Sequence, residues 1–129
     1  MLIKEEKLIL NEDGFLFGDS CNKVVEVLGE NRVNVANWEE IVITKDFEFC
    51  GYKFYGRLLF NEEGLYAFMM EPRFKADDTM LLALQSRMDE IIVESKKDDI
   101  EYEIKYEIYP RSFGDFCVTL LRRGFEWPM

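Results

Sequence analysis

The chain contains no histidine. That absence removes the usual general base and the commonest metal ligand near neutral pH. Gly18-Asp19-Ser20 spells a tripeptide found around some serine nucleophiles. With no imidazole to take the hydroxyl proton, helix capping is the better account of Asp19 and Ser20. Cysteine is also scarce: Cys21, Cys50 and Cys117 are scattered and form no CxxC pair. They make no disulfide framework or zinc cluster, and they suit a reducing compartment as small core residues. Adjacent basic pairs are limited to Lys96-Lys97 and Arg122-Arg123, too few for a phosphate track. No apolar run reaches the roughly 18 residues of a membrane helix. The opening MLIKEEKLIL carries acids where a signal peptide needs an unbroken apolar stretch. These absences predict a cytoplasmic protein that binds neither nucleic acid nor membrane and carries no metal or cofactor. Prolines number only three, and no Gly/Ser tract interrupts the chain, so residues 1–129 read as one domain.

What is present is apolar and acidic. Hydrophobic residues make up 48% and aromatics 15% of the 129 residues, enough for a substantial core. Acids outnumber bases 26 to 16, giving a net charge of −10. Such a field repels phosphate and steers encounter with a basic protein; the same charge also serves solubility.

A phrase recurs. LILNEDGFLFG at Leu8–Gly18 and LLFNEEGLYAF at Leu58–Phe68 each set Asn-Glu-acid-Gly between apolar runs. Asparagine opens a type I turn by bonding its own backbone, and glycine closes a bulged hairpin in the left-handed conformation. The pattern predicts a hairpin around Asn61–Gly64 and the same device, with a shorter second arm, around Asn11–Gly14. In YKFYGRLLF, Tyr52, Phe54, Gly56, Leu58 and Phe60 share one face; Lys53, Tyr55, Arg57 and Leu59 share the other. Val33 and Val35 alternate, and Ile41-Val42-Ile43 reads as a buried run. GDSCNKVVEVLGE predicts a short helix capped by Asp19 or Ser20, with Cys21, Val24, Val25 and Leu28 on one stripe and a stop at Gly29. Asp78–Ser95 has helical spacing at Leu81, Leu84, Met88, Ile91 and Ile92. IEYEIKYEIY predicts a strand with Glu101, Glu103, Lys105, Glu107 and Tyr109 on a watery face. Pro110–Asp115 then turns into a last strand. The expected architecture is α+β in two layers: an antiparallel sheet with the long helix on one face, beside the short N-terminal helix.

Paired carboxylates are the catalytic constellation left. Glu101 and Glu103 would stand roughly 6–7 Å apart on one strand face, but acid–base division also needs unlike environments. Asp77-Asp78 and Asp98-Asp99 lack the spacing of a calcium loop. Recognition is the stronger expectation. Trp38, Glu39 and Glu40, with Asp46 and Glu48, form one candidate patch for a basic protein partner; Glu101, Glu103 and Glu107 form a second. The plain alternative makes Trp38 and Phe47 core.

DGFLFGDSCNKVVEVLGE, with a strand ending in Gly-apolar-x-apolar-Gly followed by a capped helix ending Leu-Gly, joins the LLFNEEGLYAF hairpin in resembling small immunity proteins of bacterial toxin systems. The resemblance spans about a quarter of the chain, and Glu30 stands where proline often follows Leu-Gly. It implies a cytoplasmic, non-enzymatic protein that binds and occludes one toxin domain. EEGLYAFMMEP followed by DDTMLLALQ also resembles small acidic secretion chaperones, which usually begin and end in helices. A chaperone or adaptor is therefore the alternative function, with a carboxylate-based hydrolase behind it.

Overall fold

The computed structural model describes residues 1–9, 12–37, 39–49, 51–73, 79, 82, 83, 86, 87, 102–108, 116–122 and 124–126. The strands are β1 (Leu2–Lys4), β2 (Lys7–Ile9), β3 (Val33–Asn37), β4 (Glu40–Phe49), β5 (Tyr52–Asn61), β6 (Gly64–Pro72), β7 (Tyr102–Ile108) and β8 (Phe116–Arg122). One helix, α1 (Cys21–Leu28), and a short 3-10 turn (Glu30–Arg32) lie between β2 and β3. The strands make a single sheet in the order β1-β2-β4-β5-β6-β8-β7, and β3 pairs β4 beside that path.

This corrects the two-layer α+β expectation. Among the described residues the chain is mostly a curled mixed sheet, with one helix of eight residues. It is mixed because β2 joins β4 in parallel through Lys7 and Glu48, whereas the other pairs are antiparallel. The main core is covered from within the N-terminal part of the chain. Met1, Ile3, Leu8, Phe15, Phe17, Val24 and Leu28 pack with Ile41, Phe47, Phe54, Leu58, Phe68, Met70, Val118 and Leu120 in one buried cluster. The expected long helix, Asp78–Ser95, falls almost wholly outside the described residues. Thr79, Leu82, Ala83, Ser86 and Arg87 are described there, with helical backbone and exposed side chains. The turn at Pro110–Asp115 also lies outside them.

The two Asn-Glu-acid-Gly phrases part ways. At the second, Asn61 Oδ1 accepts the Glu63 N–H at 2.8 Å, Gly64 takes φ +95°, and β5 and β6 run back antiparallel. At the first, no second arm forms. Phe15 donates its N–H to the Met1 carbonyl at 2.9 Å, and the Met1 ammonium donates to the Phe15 carbonyl at 2.8 Å. Gly14 is demanded by close approach, since a Cβ there would lie 2.1 Å from the Met1 oxygen. Phe15 and Phe17, on the stretch where the second arm was expected, are instead buried in the core cluster. The phrases then meet. Gly18 donates its N–H to the Leu65 carbonyl at 2.9 Å, and Leu65 donates to the Asp19 carbonyl at 2.8 Å.

Helix α1 is capped by Ser20, whose side chain accepts the Lys23 N–H at 3.2 Å. Asp19 instead closes the preceding turn, its Oδ2 accepting the Leu16 N–H at 2.8 Å. Val24 and Leu28 are the buried part of the stripe. Gly29 ends the helix with φ +92° and donates its N–H to the Val25 carbonyl at 2.8 Å.

The β1–β2 hairpin turns on Glu5 and Glu6, with φ of 52° and 60°. Two consecutive positive angles match a type I′ turn, which favours Asn-Gly. Glutamate occupies this region at a cost, and the surroundings hold it there. The Glu6 carbonyl accepts the Glu48 N–H at 2.7 Å, and the Glu6 carboxylate lies 3.1 Å from Arg32. Glu5→Asn should therefore raise the unfolding free energy by about 0.5–1 kcal/mol. A higher urea midpoint at unchanged slope is the expected reading.

Burial divides the sheet's second face. Ala67, Met69, Thr119 and Leu121 alternate with Phe68, Met70, Val118 and Leu120, so they face away from the aromatic core, yet they too are buried. The β6–β8 half is thus buried on both faces. On the β4–β5 half the same face is open: Val42, Thr44, Lys53 and Arg57 are exposed, and Leu59 is half-buried.

Candidate protein-binding surface

The open face is built by the alternation of β4 and β5. Ile41 and Ile43 turn inward, which puts Glu40, Val42 and Thr44 outward. Leu58 pairs with Ile41 on the core side, so Arg57 and Leu59 look out beside them. Val42 is 36% exposed, correcting the reading of Ile41-Val42-Ile43 as uniformly buried. Arg57 lies 3.5 Å from Glu40, linking the two strands.

The sequence candidates do not form one patch. Trp38 and Glu101 lie outside the described residues. Glu39 is exposed in the β3–β4 turn, where its N–H donates to Asn37 Oδ1 at 2.7 Å and its carbonyl accepts from Phe60 at 2.8 Å. Glu40 follows, paired with Arg57. Asp46 and Glu48 stand toward the far end of β4, roughly 20 and 26 Å along the strand from Glu40. Phe47 between them is core, 1% exposed. Asp46 accepts from Arg73 Nε at 2.7 Å, and exposed Glu48 is the register partner of Lys53 and Lys7. Glu103 and Glu107 belong to β7 and pair in register with Leu121 and Cys117.

Glu103, Leu121, Ala67, Leu59 and Glu40 form one row across the sheet. Four strand spacings separate its ends by about 19 Å, and its middle, Ala67 and Leu121, is buried. The two proposed acidic patches are therefore separate surfaces. The exposure of the β7 side chains, on which the watery face was expected, lies outside the described residues.

A cluster at the β5–β6 border was not foreseen. Tyr55 faces Glu71 across the pair and donates its phenol hydrogen to Glu71 Oε2. The Arg73 guanidinium lies over the Tyr55 ring, 4.5 Å from its centre, while reaching Asp46. The hydrogen bond to Glu71, then burial, then the Glu71 charge push the Tyr55 phenol up to about 12. Arg73 and Arg57 pull the other way. The folded chain holds this proton more tightly than the unfolded one. Its stabilising contribution is full below pH 10 and is lost as pH rises through about 12. An ultraviolet titration should show one of the six tyrosines ionising near pH 12. Glu71→Gln should return it toward 10.

The other chemical candidates are occupied with structure. Ser20 caps α1, and Asp19 closes its turn. Cys21 is half-buried, and burial pushes its thiol up, away from thiolate chemistry. Cys50 lies outside the described residues, as does the Cys117 side chain. Among the described residues, no three His, Cys, Asp or Glu side chains gather into a metal-binding group. No helix among them is long and apolar enough to cross a membrane.

The chain matches no protein-family model, no curated protein and no solved structure.

Arg122 anchors the turn side of this region. It donates to the Glu63 carbonyl at 3.2 Å, and its guanidinium lies 4.9 Å from the centre of the Phe125 ring. Phe125 stacks on Tyr66 with centroids 6.0 Å apart. Burial, and after it the Glu39 charge, pushes the Tyr66 phenol up. Glu39 therefore borders an aromatic rim that links the β3–β4 turn to the Asn61–Gly64 hairpin.

Proposed function

We propose that the chain is a non-enzymatic binding protein that covers a basic surface of a protein partner, in the specific form of an immunity-type inhibitor occluding a toxin domain. The observation that carries this reading is the half-open sheet face. Val42, Thr44, Arg57 and Leu59 stand on a broad antiparallel surface whose other side is a tightly packed aromatic core. Exposed Glu39 and half-exposed Glu40 border it, in a chain of net charge −10. A rigid, mixed polar and apolar surface with acidic edges suits docking, and opposite charge on the partner speeds encounter.

The surroundings of the acids favour binding over catalysis. Glu40 and Asp46 each engage an arginine, and Glu48 lies exposed between lysines. None has the desolvated setting that divides acid and base work.

The test uses the purified chain and the product of the reading frame adjoining its own. Calorimetric titration should show binding that weakens as salt is raised. Reversing Glu39 and Glu40 together to lysine should weaken it about tenfold or more at low salt. Unchanged affinity and salt dependence in that double variant would remove the electrostatic reading. Turnover of any substrate by the chain alone would remove the non-enzymatic one.

A further inference from the structure

Strand β3 (Val33–Asn37) pairs β4 along one edge only; no strand among the described residues pairs with its other edge. Asn34, Val35, Ala36 and Asn37 are exposed, with Val35 at 42%. A bare edge offers unpaired N–H and C=O groups to any extended chain, and natural sheets blunt such edges with lysine, proline or bulges. Here the strand Val-Asn-Val-Ala-Asn has no charge and no proline, in a protein whose residues are 33% charged. Its one register shift lies between Val35 and Asn37, at the end beside the turn, leaving Val33–Val35 regularly paired. The edge strand β1 makes the contrast: it is three residues long, ends in Lys4 and runs into Glu5-Glu6.

Charge points to the occupant. Exposed Glu30 lies just before β3 and exposed Glu39 just after it, and neither forms an ion pair among the described residues. The nearby cations are already engaged: Arg32 with Glu6 and the Ile3 carbonyl, Arg57 with Glu40. A second copy would carry the same net charge of −10, and like fields oppose association.

We propose that β3 is a strand-addition site for an extended segment of a partner protein, with a β-branched centre flanked by lysine or arginine. Main-chain hydrogen bonds would hold the added strand, the basic flanks would meet Glu30 and Glu39, and alternate side chains would lie beside Val33 and Val35. This rests on the binding reading above and names the contact through which the partner is held.

The probe is the end-capped peptide Lys-Arg-Val-Thr-Val-Thr-Arg-Lys, titrated into the isotope-labelled chain and followed by amide shifts and hydrogen exchange. The expected result is shifted and slowed amides within Val33–Asn37, an effect that fades with salt. The acid-flanked peptide Glu-Glu-Val-Thr-Val-Thr-Glu-Glu should leave them unmoved. Val35→Lys should weaken the basic peptide about fivefold, whereas Val35→Thr, which keeps the branch, should bind about as well as the parent. At this exposed site both variants should unfold with the parent. Amide changes centred elsewhere, no change at all, or equal binding of the acid-flanked peptide would overturn the proposal. Concentration-dependent protection of β3 without peptide, with a dimer in sedimentation, would assign the edge to a second copy and overturn the stated occupant. If the adjoining-frame product is weakened by the Glu39/Glu40 reversal but not by Val35→Lys, and the peptide fails, strand addition falls and the covering function stands. If the peptide binds and that product does not, the edge stands and the covering function falls.

Discussion

Gly64→Ala should lower the unfolding free energy by about 3 kcal/mol or more, against about 1 kcal/mol for Gly51→Ala. The two glycines share a backbone conformation, with φ of +95° at Gly64 and +85° at Gly51. A side chain in that region costs about 1–2 kcal/mol by itself. They differ in what the new methyl meets. At Gly51 nothing lies within 4 Å; at Gly64 the Cβ would sit 2.3 Å from the Gly18 oxygen and 2.8 Å from the Asp19 oxygen. Both neighbours are backbone, so no side chain can swing aside. Relief requires parting the hairpin tip from the Leu16–Asp19 turn, which breaks the reciprocal hydrogen bonds of Leu65 with Gly18 and Asp19. Their loss adds about 1 kcal/mol each to the strain. Urea unfolding of both variants under one buffer gives the comparison. Equal losses would mean that φ alone governs and that the clamp between the two repeated phrases contributes nothing.

Much of the fold was legible where local chemistry decided it. The alternation of Tyr52–Phe60, the turn at Asn61–Gly64, a cap at Asp19 or Ser20 and the stop at Gly29 need only neighbouring residues, and the structure selects Ser20 as the cap. Gly14 was misread because its constraint comes from Met1, which only the tertiary arrangement brings against it. The Tyr55–Glu71 pair was hidden by one residue. Counting outward from Asn61↔Gly64 without a bulge puts Tyr55 opposite Met70, but the register shifts between Leu59 and Phe60, so Glu71 arrives instead. The parallel joint of β2 to β4 has no turn to announce it, so a purely antiparallel sheet was the natural expectation. The first candidate patch is spread out for a related reason. Sequence places Glu40 six residues before Asp46, but an extended strand carries them toward opposite ends of β4, and Arg57 and Arg73 arrive from β5 and beyond β6 to engage them. Val42 was read as core because its neighbours are; its exposure depends on where the sheet's second face stops being covered.

Phe68→Ala should cost about 3–5 kcal/mol and bring the chain close to unfolding at room temperature. Phe68 is 0% exposed on central strand β6, where its ring meets Phe47 at 5.8 Å and Phe15 at 6.3 Å between centroids. The first neighbour belongs to the sheet and the second to the N-terminal loop that replaced the expected hairpin. Removing the ring therefore opens a cavity at the joint between the sheet and its cover, and aromatic pairs add about 0.5–1.5 kcal/mol each beyond their area. Phe68→Leu, which keeps most of the volume, should lose less and remain folded for study. A double-mutant cycle of Phe15→Leu with Phe68→Leu then measures whether loop and sheet unfold as one unit. Coupling of about 0.5–1 kcal/mol is expected for rings in contact, with a single transition in near- and far-ultraviolet dichroism. Additive losses with two transitions would mean that the N-terminal cover opens separately. In that case the open β3–β4–β5 surface would rest on a sheet exposed from behind, and its rigidity for docking would need another source.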